Sequence, residues 1–317
     1  MTYQIVLTAM KSKKPLVSII LGTLIGASSG LFIKSISFSS LAFCGFRMGV
    51  PFLILLPMMI QKGLVLGPRV CRKKLWIGSL FNAARMLLYI LAYKLTSIAN
   101  GVVLLYLWPL FALLLEAAVR KKKLKLKEIG LLFLALAGVI CLNLEKGFSL
   151  SPNDLMGSIC MVASAFIFAA SALIFKDALA DHSEVEVLYF QNALGAVVFL
   201  PFMLAELPGT AAVETGVAAI YGLLVGIIAF GCMFYAMKRM PMFQYGALTY
   251  LEVIFGVVLG MLFLQEGFNL FKGLGILMVL SASILSRFAG NSAEPAVENA
   301  DSDHAQCVTM VSPESKG

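Results

Sequence analysis

The sequence predicts an all-α membrane protein with ten transmembrane helices arranged as two inverted five-helix repeats. Three observations carry the prediction: the composition, the length of the apolar blocks, and a self-similarity at one fixed offset. Of 317 residues, 60% are hydrophobic and 13% charged, against roughly 25% charged in soluble domains. Mean hydropathy is +0.92. The apolar blocks are too long for a soluble α/β enzyme, and no segments of about 10 alternating residues mark a transmembrane β-barrel. Six cysteines are ordinary usage for this length, not a disulfide framework. Cys44, Cys141, Cys160 and Cys232 fall inside apolar blocks, where they read as small core residues.

A spanning helix needs about 20 mostly apolar residues to cross a hydrocarbon core roughly 30 Å thick. The chain offers ten such segments: 16–34, 41–60, 75–93, 98–119, 128–144, 155–176, 185–205, 216–236, 243–264 and 270–288. Several carry Gly or Pro, which spanning helices tolerate. Lys and Arg in the short loops set the orientation. With the N-terminus inside, the inner segments hold Lys11, Lys13, Lys14, Lys62, Arg69, Arg72, Lys73, Lys74, the run Arg120–Lys127, Lys176, Lys238, Arg239 and Arg287. The outer loops hold only Lys34, Lys94, Lys146 and Lys272. Both termini are therefore expected in the cytoplasm, and the net charge of +8 reads as topology, with no nucleic-acid partner. The first apolar run has no Ala-x-Ala-like site at its end, so it reads as a retained helix rather than a cleaved signal. Residues 1–15 form a cytoplasmic N-terminus. Residues 289–317 are polar, acidic and poor in large apolar side chains, and are expected to be a disordered cytoplasmic tail.

Sliding the chain on itself by 144 residues aligns spans two, three and four with seven, eight and nine without a gap. Matched pairs include Phe46/Phe190, Pro57/Pro201, Gly78/Gly222, Lys94/Lys238, Tyr106/Tyr250 and Phe111/Phe255. Each unit, 16–144 and 145–288, has five spans, so the second enters the membrane upside down. The charges agree, since Lys94 falls in an outer loop and its counterpart Lys238 in an inner one. Inverted repeats are a common architecture of secondary transporters, with the substrate site near the midplane between the halves.

The segments ANGVVLLYLWPLFALLLEA (99–117), EIGLLFLALAGVICLN (128–143) and YGALTYLEVIFGVVLGMLFLQEGFNLFKGLGILMVL (245–280) resemble the ends of EamA-type repeats. Leu251-Glu252 followed by Gly260 and Glu266 is the most recognisable part, and Lys34 and Arg47 sit where such repeats carry basic residues. The resemblance covers residues 16–288 and is to the drug/metabolite transporter superfamily. It implies ten-helix inner-membrane carriers and amino acids or related metabolites as solutes, moved outward. Departures are Val253 where a Pro usually follows Glu252, Trp108-Pro109 in the first unit, and the Arg120–Lys123 run in place of an acidic residue.

A charge at the bilayer centre costs about 2.5–3.5 kcal/mol on insertion scales, so each one calls for an explanation. Arg85 and Glu252 lie at similar depth in spans three and nine and could pair at the midplane, either as a helix-locking salt bridge or in a substrate or proton role. Gly78, Asn82, Arg85 and Tyr89 form one polar stripe, and Tyr245, Thr249, Glu252 and Gly256 another. Trp108 stands at the repeat equivalent of Glu252, with Tyr106 and Tyr250 beside these two positions. The candidate substrate-binding set is Asn82, Arg85, Tyr89, Trp108, Tyr245, Thr249, Tyr250 and Glu252, with Glu252 the candidate for proton coupling. Gly22, Gly26, Ser29 and Gly30, and Gly157, Ser164, Phe168 and Ser171, read as close-packing faces. Arg47 reads as structural, and Glu116 as a surface partner of Arg120.

Two histidines, His182 and His304, leave little for metal or triad chemistry, and no HExxH, GxSxG or GxxxxGK[ST] motif is present. No enzyme activity, catalytic residue, metal or cofactor is expected. The acidic residues around His182 read as a solvated loop. The sequence allows a small-molecule solute, the lipid bilayer and a second copy of the chain as partners. A non-transporting scaffold or sensor is the alternative, disfavoured because such a protein gains nothing from deep charges.

Overall fold

The computed structural model describes residues 2–29, 31–32, 37–61, 72–144, 152–265 and 267–290. Gly30, Lys34, Lys62, Arg69, Lys146, Glu266 and the tail from Asn291 lie outside the described residues. Every regular element among those described is helical. In chain order they are α1 (Thr2–Ala27), α2 (Ser40–Gln61), α3 (Lys73–Leu95), α4 (Ile98–Leu105), α5 (Trp108–Arg120), α6 (Leu126–Asn143) and α7 (Pro152–Asp181). Then come α8 (Glu184–Glu206), α9 (Ala212–Leu223), α10 (Phe230–Arg239), α11 (Met242–Thr249), α12 (Leu251–Leu264) and α13 (Leu270–Gly290). Among the described residues nine segments are long and apolar enough to cross a membrane, and Lys14–Ala27 is a shorter apolar helix.

Local chemistry sets the boundaries. Ser39, Ser97 and Ser183 each accept a hydrogen bond from the backbone N–H three residues on, at 3.2, 3.2 and 3.3 Å, which satisfies one free N–H of the helix that follows. Ser39 and Ser183 are 144 residues apart and start equivalent helices. The first helix begins before and ends earlier than the apolar run predicts. It ends at Ala27 because the Ser28 and Ser29 hydroxyls turn back onto the carbonyls of Ile25 and Gly26, both at 2.6 Å, competing with the helical ladder.

Three spans are interrupted. Span four breaks between α4 and α5 just ahead of Pro109, whose ring and missing N–H disfavour an unbroken helix. Span nine breaks at Tyr250, between α11 and α12, at the equivalent position although no proline is there. Span eight contains a π-helical turn, Leu224–Ala229, between α9 and α10.

The helix pairing has the two-fold symmetry that an inverted repeat demands. α2 packs along α8, and α6 along α13, each pair being its own symmetry mate. α3 packs along α7, and its mate is the contact of α1 with α10 and the π-turn. Close approach is made by glycine: a Cβ on Gly22 would stand 2.9 Å from the Ala229 carbonyl, and one on Gly157 2.8 Å from the Thr96 N. Tyr106 and Tyr250, repeat equivalents, meet with ring centroids 5.6 Å apart, and the Tyr250 hydroxyl donates to the Tyr106 carbonyl at 2.8 Å. Residues related by the repeat touch each other only near its pseudo-two-fold axis, so this pair marks the centre of the fold.

The loop around His182 departs from expectation. Glu186 is buried rather than solvated, with His182 Nδ1 at 3.0 Å and Arg72 Nε at 3.7 Å from its Oε1. A buried carboxylate needs such partners, and Arg72 comes from the other repeat unit. Nearby, Arg239 pairs with Glu184 at 2.6 Å, and the Lys176 ammonium donates to the carbonyls of Met237 and Met240, closing the end of α10. Arg120 bridges Glu116 and Asp177 at 3.6 and 2.5 Å.

Candidate substrate and coupling site

The site grows out of the two broken spans. Each break frees backbone groups in the interior and opens a new helix N-terminus there, whose dipole favours negative charge. Glu252 sits in the first turn of α12. The Tyr106 hydroxyl, from the opposite broken span, lies near its carboxylate. Gly26 of α1 lies directly against it: a Cβ on Gly26 would stand 2.9 Å from Glu252 Oε1. Arg47 of α2 and Arg85 of α3 act on the carboxylate through space.

The direct Arg85–Glu252 pair does not form, since among the described residues neither Arg85 nor Arg47 has a carboxylate oxygen within 4.0 Å. Both guanidinium groups lie over aromatic rings instead. Arg85 stands 4.4 Å from the centroid of Phe168 and Arg47 4.6 Å from that of Phe230. Arg85 Nε also donates to Asn82 Oδ1 at 3.3 Å, and its Nη2 approaches Met86 Sδ at 3.2 Å. A desolvated cation–π contact is worth about 2 kcal/mol, which helps hold a buried cation whose counter-charge is out of contact.

Phe168 links Arg85 to further aromatic rings, because it also meets Trp108 at 4.7 Å, and Trp108 in turn meets Tyr245 at 6.1 Å. Tyr89 lies beside Arg85, and its ring meets that of Tyr93 edge-on with centroids 4.8 Å apart. Arg85, Tyr89, Trp108, Tyr245 and Glu252 thus surround one interior region shared by both repeats. Arg47, Tyr89 and Glu252 are only half-buried, while Arg85 is 5% exposed. Of the other three expected residues, Asn82 accepts from Arg85 and donates its amide to the Gln191 carbonyl of α8 at 2.9 Å, whereas Thr249 donates to the Gly246 carbonyl at 2.7 Å and Tyr250 to the Tyr106 carbonyl.

Four further residues belong to this region. In sequence Tyr106 stood out as a repeat match flanking Trp108 and as one of the tyrosines that could line a cavity, and Arg47 as a basic residue where EamA-type repeats carry one, read as structural. Gly26 and Phe168 read as packing positions, and nothing local distinguished them. Among the described residues no three His, Cys, Asp or Glu side chains gather as metal ligands would.

The arrangement can do two things chemically. Two fixed cations and one carboxylate, set among aromatic faces, complement a small solute bearing both charges on an apolar body. A carboxylate beside a tyrosine hydroxyl and kept out of direct contact with cations can also take up and release a proton.

A family model described as the EamA-like transporter family matches residues 13–144 and 155–288. An "uncharacterized transporter" of Methanothermobacter thermautotrophicus is 26% identical over 211 residues, 63% of this chain and 60% of that protein, so the chain spans about three-fifths of that relative's length. An "uncharacterized transporter" of Archaeoglobus fulgidus is 23% identical over 85% of this chain and 94% of its own length. The transporter YetK of Bacillus subtilis is 24% identical over 72% of each. A crystal structure, described only as that of a protein, superposes with a TM-score of 0.72 at 18% identity, covering 89% of this chain and 99% of the other, and so shares the fold. With matches over both halves of its length, this membrane protein belongs to the EamA-like transporter family.

Proposed function

We propose that this transporter is a secondary carrier that moves a small amphipathic, amino-acid-like metabolite outward across a cell membrane by alternating access. The observation that carries the reading is the placement of Glu252, Arg47 and Arg85 among Tyr89, Trp108, Phe168 and Tyr245, between the two inverted units. A solute carboxylate would be drawn to Arg85 and Arg47, and its ammonium group to Glu252, with the apolar body against the rings. The two units then rock about the Tyr106–Tyr250 contact and expose this region to each side in turn. Glu252 is the group proposed to couple transport to protons. The excess of Lys and Arg on one side supports cytoplasmic termini, and the family resemblance supports an inner membrane.

Thermal unfolding of the purified protein across a panel of amino acids, nucleosides, sugars and cofactors tests the reading. A ligand that binds only the folded state stabilises it by about 2.7 kcal/mol at a hundred times its dissociation constant. An amino-acid hit should vanish in Arg85→Gln and weaken in Glu252→Gln. Counterflow of that solute in liposomes should respond to a pH gradient in wild type and not in Glu252→Gln. Stabilisation that survives both substitutions would place binding elsewhere. The absence of any hit at millimolar solute would favour a structural role for the deep charges.

A further inference from the structure

The strongest charge patch on the surface is the connection between α5 and α6. Arg120, Lys121, Lys122, Lys123, Lys125 and Lys127 place six cations in eight residues. The local geometry presents them outward. Lys121 adopts a left-handed conformation (φ 52°) and the Lys122 N–H returns to the Ala117 carbonyl at 3.0 Å, which closes α5 and turns the chain sharply. Residues 121–127 are all exposed, including Leu126 at 84%. Arg120 is neutralised by Glu116 and Asp177, and Lys125 faces Glu128 at 4.0 Å. Among the described residues no carboxylate comes within 4.0 Å of Lys121, Lys122, Lys123 or Lys127.

A second observation places a complementary segment next to this patch. α6 and α13 lie side by side and antiparallel. A Cβ on Gly138 would meet Val279, Gly275 and Met278, whereas one on Gly275 would meet Gly138 and Leu142, so one register falls as the other rises. From the Gly138–Met278 level, Leu126 is twelve residues toward the start of α6 and Gly290 twelve toward the end of α13. At about 1.5 Å per residue both helices end at the same height. The chain therefore leaves α13 beside the basic loop, and the residues that follow are acidic. Glu294, Glu298, Asp301, Asp303 and Glu314 are opposed only by Lys316. Glu294 is four residues past Gly290, at most about 14 Å of extended chain.

We infer that the basic loop 120–127 is the docking surface for this chain's own acidic segment 294–303. Single exposed ion pairs are weak and screened by salt. Tethering replaces a bimolecular encounter with a high effective concentration, so several weak pairs act together. The exposed Lys121–Lys127 row then has its counter-charges supplied within the molecule, at the end of the bundle where α5, α6 and α13 terminate. The leaflet surface would compete for the same lysines if it carried anionic lipid.

The test uses the full chain in zwitterionic phosphatidylcholine nanodiscs, treated with a zero-length carbodiimide and mapped by mass spectrometry. Cross-links should join Glu294, Glu298, Asp301 or Asp303 to Lys121, Lys122, Lys123 or Lys127, and should fall several-fold in 0.5 M salt, which shrinks the screening length to a few ångströms. In a Glu294→Gln, Glu298→Gln, Asp301→Asn, Asp303→Asn variant, acetylation of the four lysines should speed up several-fold, while Lys73 and Lys74 react as before. Cross-links scattered over other lysines, or lysine reactivity unmoved by the tail variant, overturn the inference. Protection that appears only with anionic phosphatidylglycerol, and equally in the tail variant, also overturns it and assigns the surface to lipid.

Discussion

Two glycines one turn apart on α1 face different kinds of neighbour, and the same substitution at each should act on different properties. In Gly22→Ala the new Cβ would lie 2.9 Å from the Ala229 carbonyl oxygen, 3.0 Å from Met233 Cγ and 3.3 Å from Cys232 Cβ. The first is backbone in the π-helical turn and cannot yield without moving α10. In Gly26→Ala the nearest atom, at 2.9 Å, is the Glu252 Oε1, the end of a side chain that can pivot. Overpacking against fixed atoms costs about 1–3 kcal/mol, partly offset by the roughly 0.5–1 kcal/mol that Ala gains over Gly within a helix. Gly22→Ala should therefore lose about 1–2 kcal/mol. Gly26→Ala should stay within about 1 kcal/mol of wild type, because the carboxylate is the end of a side chain and can move aside by a few tenths of an ångström. The cost of Gly26→Ala should appear in the chemistry of Glu252. Unfolding midpoints in mild detergent read the first property, and the labelling rate of Glu252 by dicyclohexylcarbodiimide, followed by mass spectrometry, reads the second. If Gly26→Ala is as destabilising as Gly22→Ala, or labels at the wild-type rate, then Gly26 is not the wall behind the carboxylate and the site as described is wrong.

Tyr250→Phe removes a buried hydroxyl bonded to the Tyr106 carbonyl at 2.8 Å. It should lower stability by about 1–3 kcal/mol, because the carbonyl is left without its partner, and a midpoint equal to wild type would remove this contact from the centre of the fold. Arg72→Gln and Glu186→Gln should each destabilise, with a coupling of about 0.5–3 kcal/mol between them in a double-mutant cycle; additive losses would mean that the 3.7 Å pair tying the two units together is not energetically real.

Much of the fold was legible because the cost of placing polar groups in hydrocarbon is local and acts residue by residue. That cost makes each span an apolar block, and it makes Arg85 and Glu252 conspicuous inside theirs. Inverted symmetry was legible for a related reason: a repeated helix keeps its few constrained residues, such as Tyr106 and Tyr250, at one offset. Helical period also assigned the correct inward face to Asn82 and Thr249. It carried no information about what they meet there, and both bond to backbone carbonyls.

By itself, then, the sequence determined the spans, the two-fold plan and the short set of deep polar residues from which a site could be built. The tertiary structure decided which of these meet. It kept Arg85 and Glu252 out of contact, brought Tyr106 to the carboxylate, set Gly26 behind it and placed Phe168 between Arg85 and Trp108. It also turned Glu186 from an expected surface acid into a buried partner of Arg72 and His182. Those outcomes depend on how far each helix is rotated about its axis and how high it sits beside helices distant in sequence, and neither quantity leaves a periodic trace along the chain.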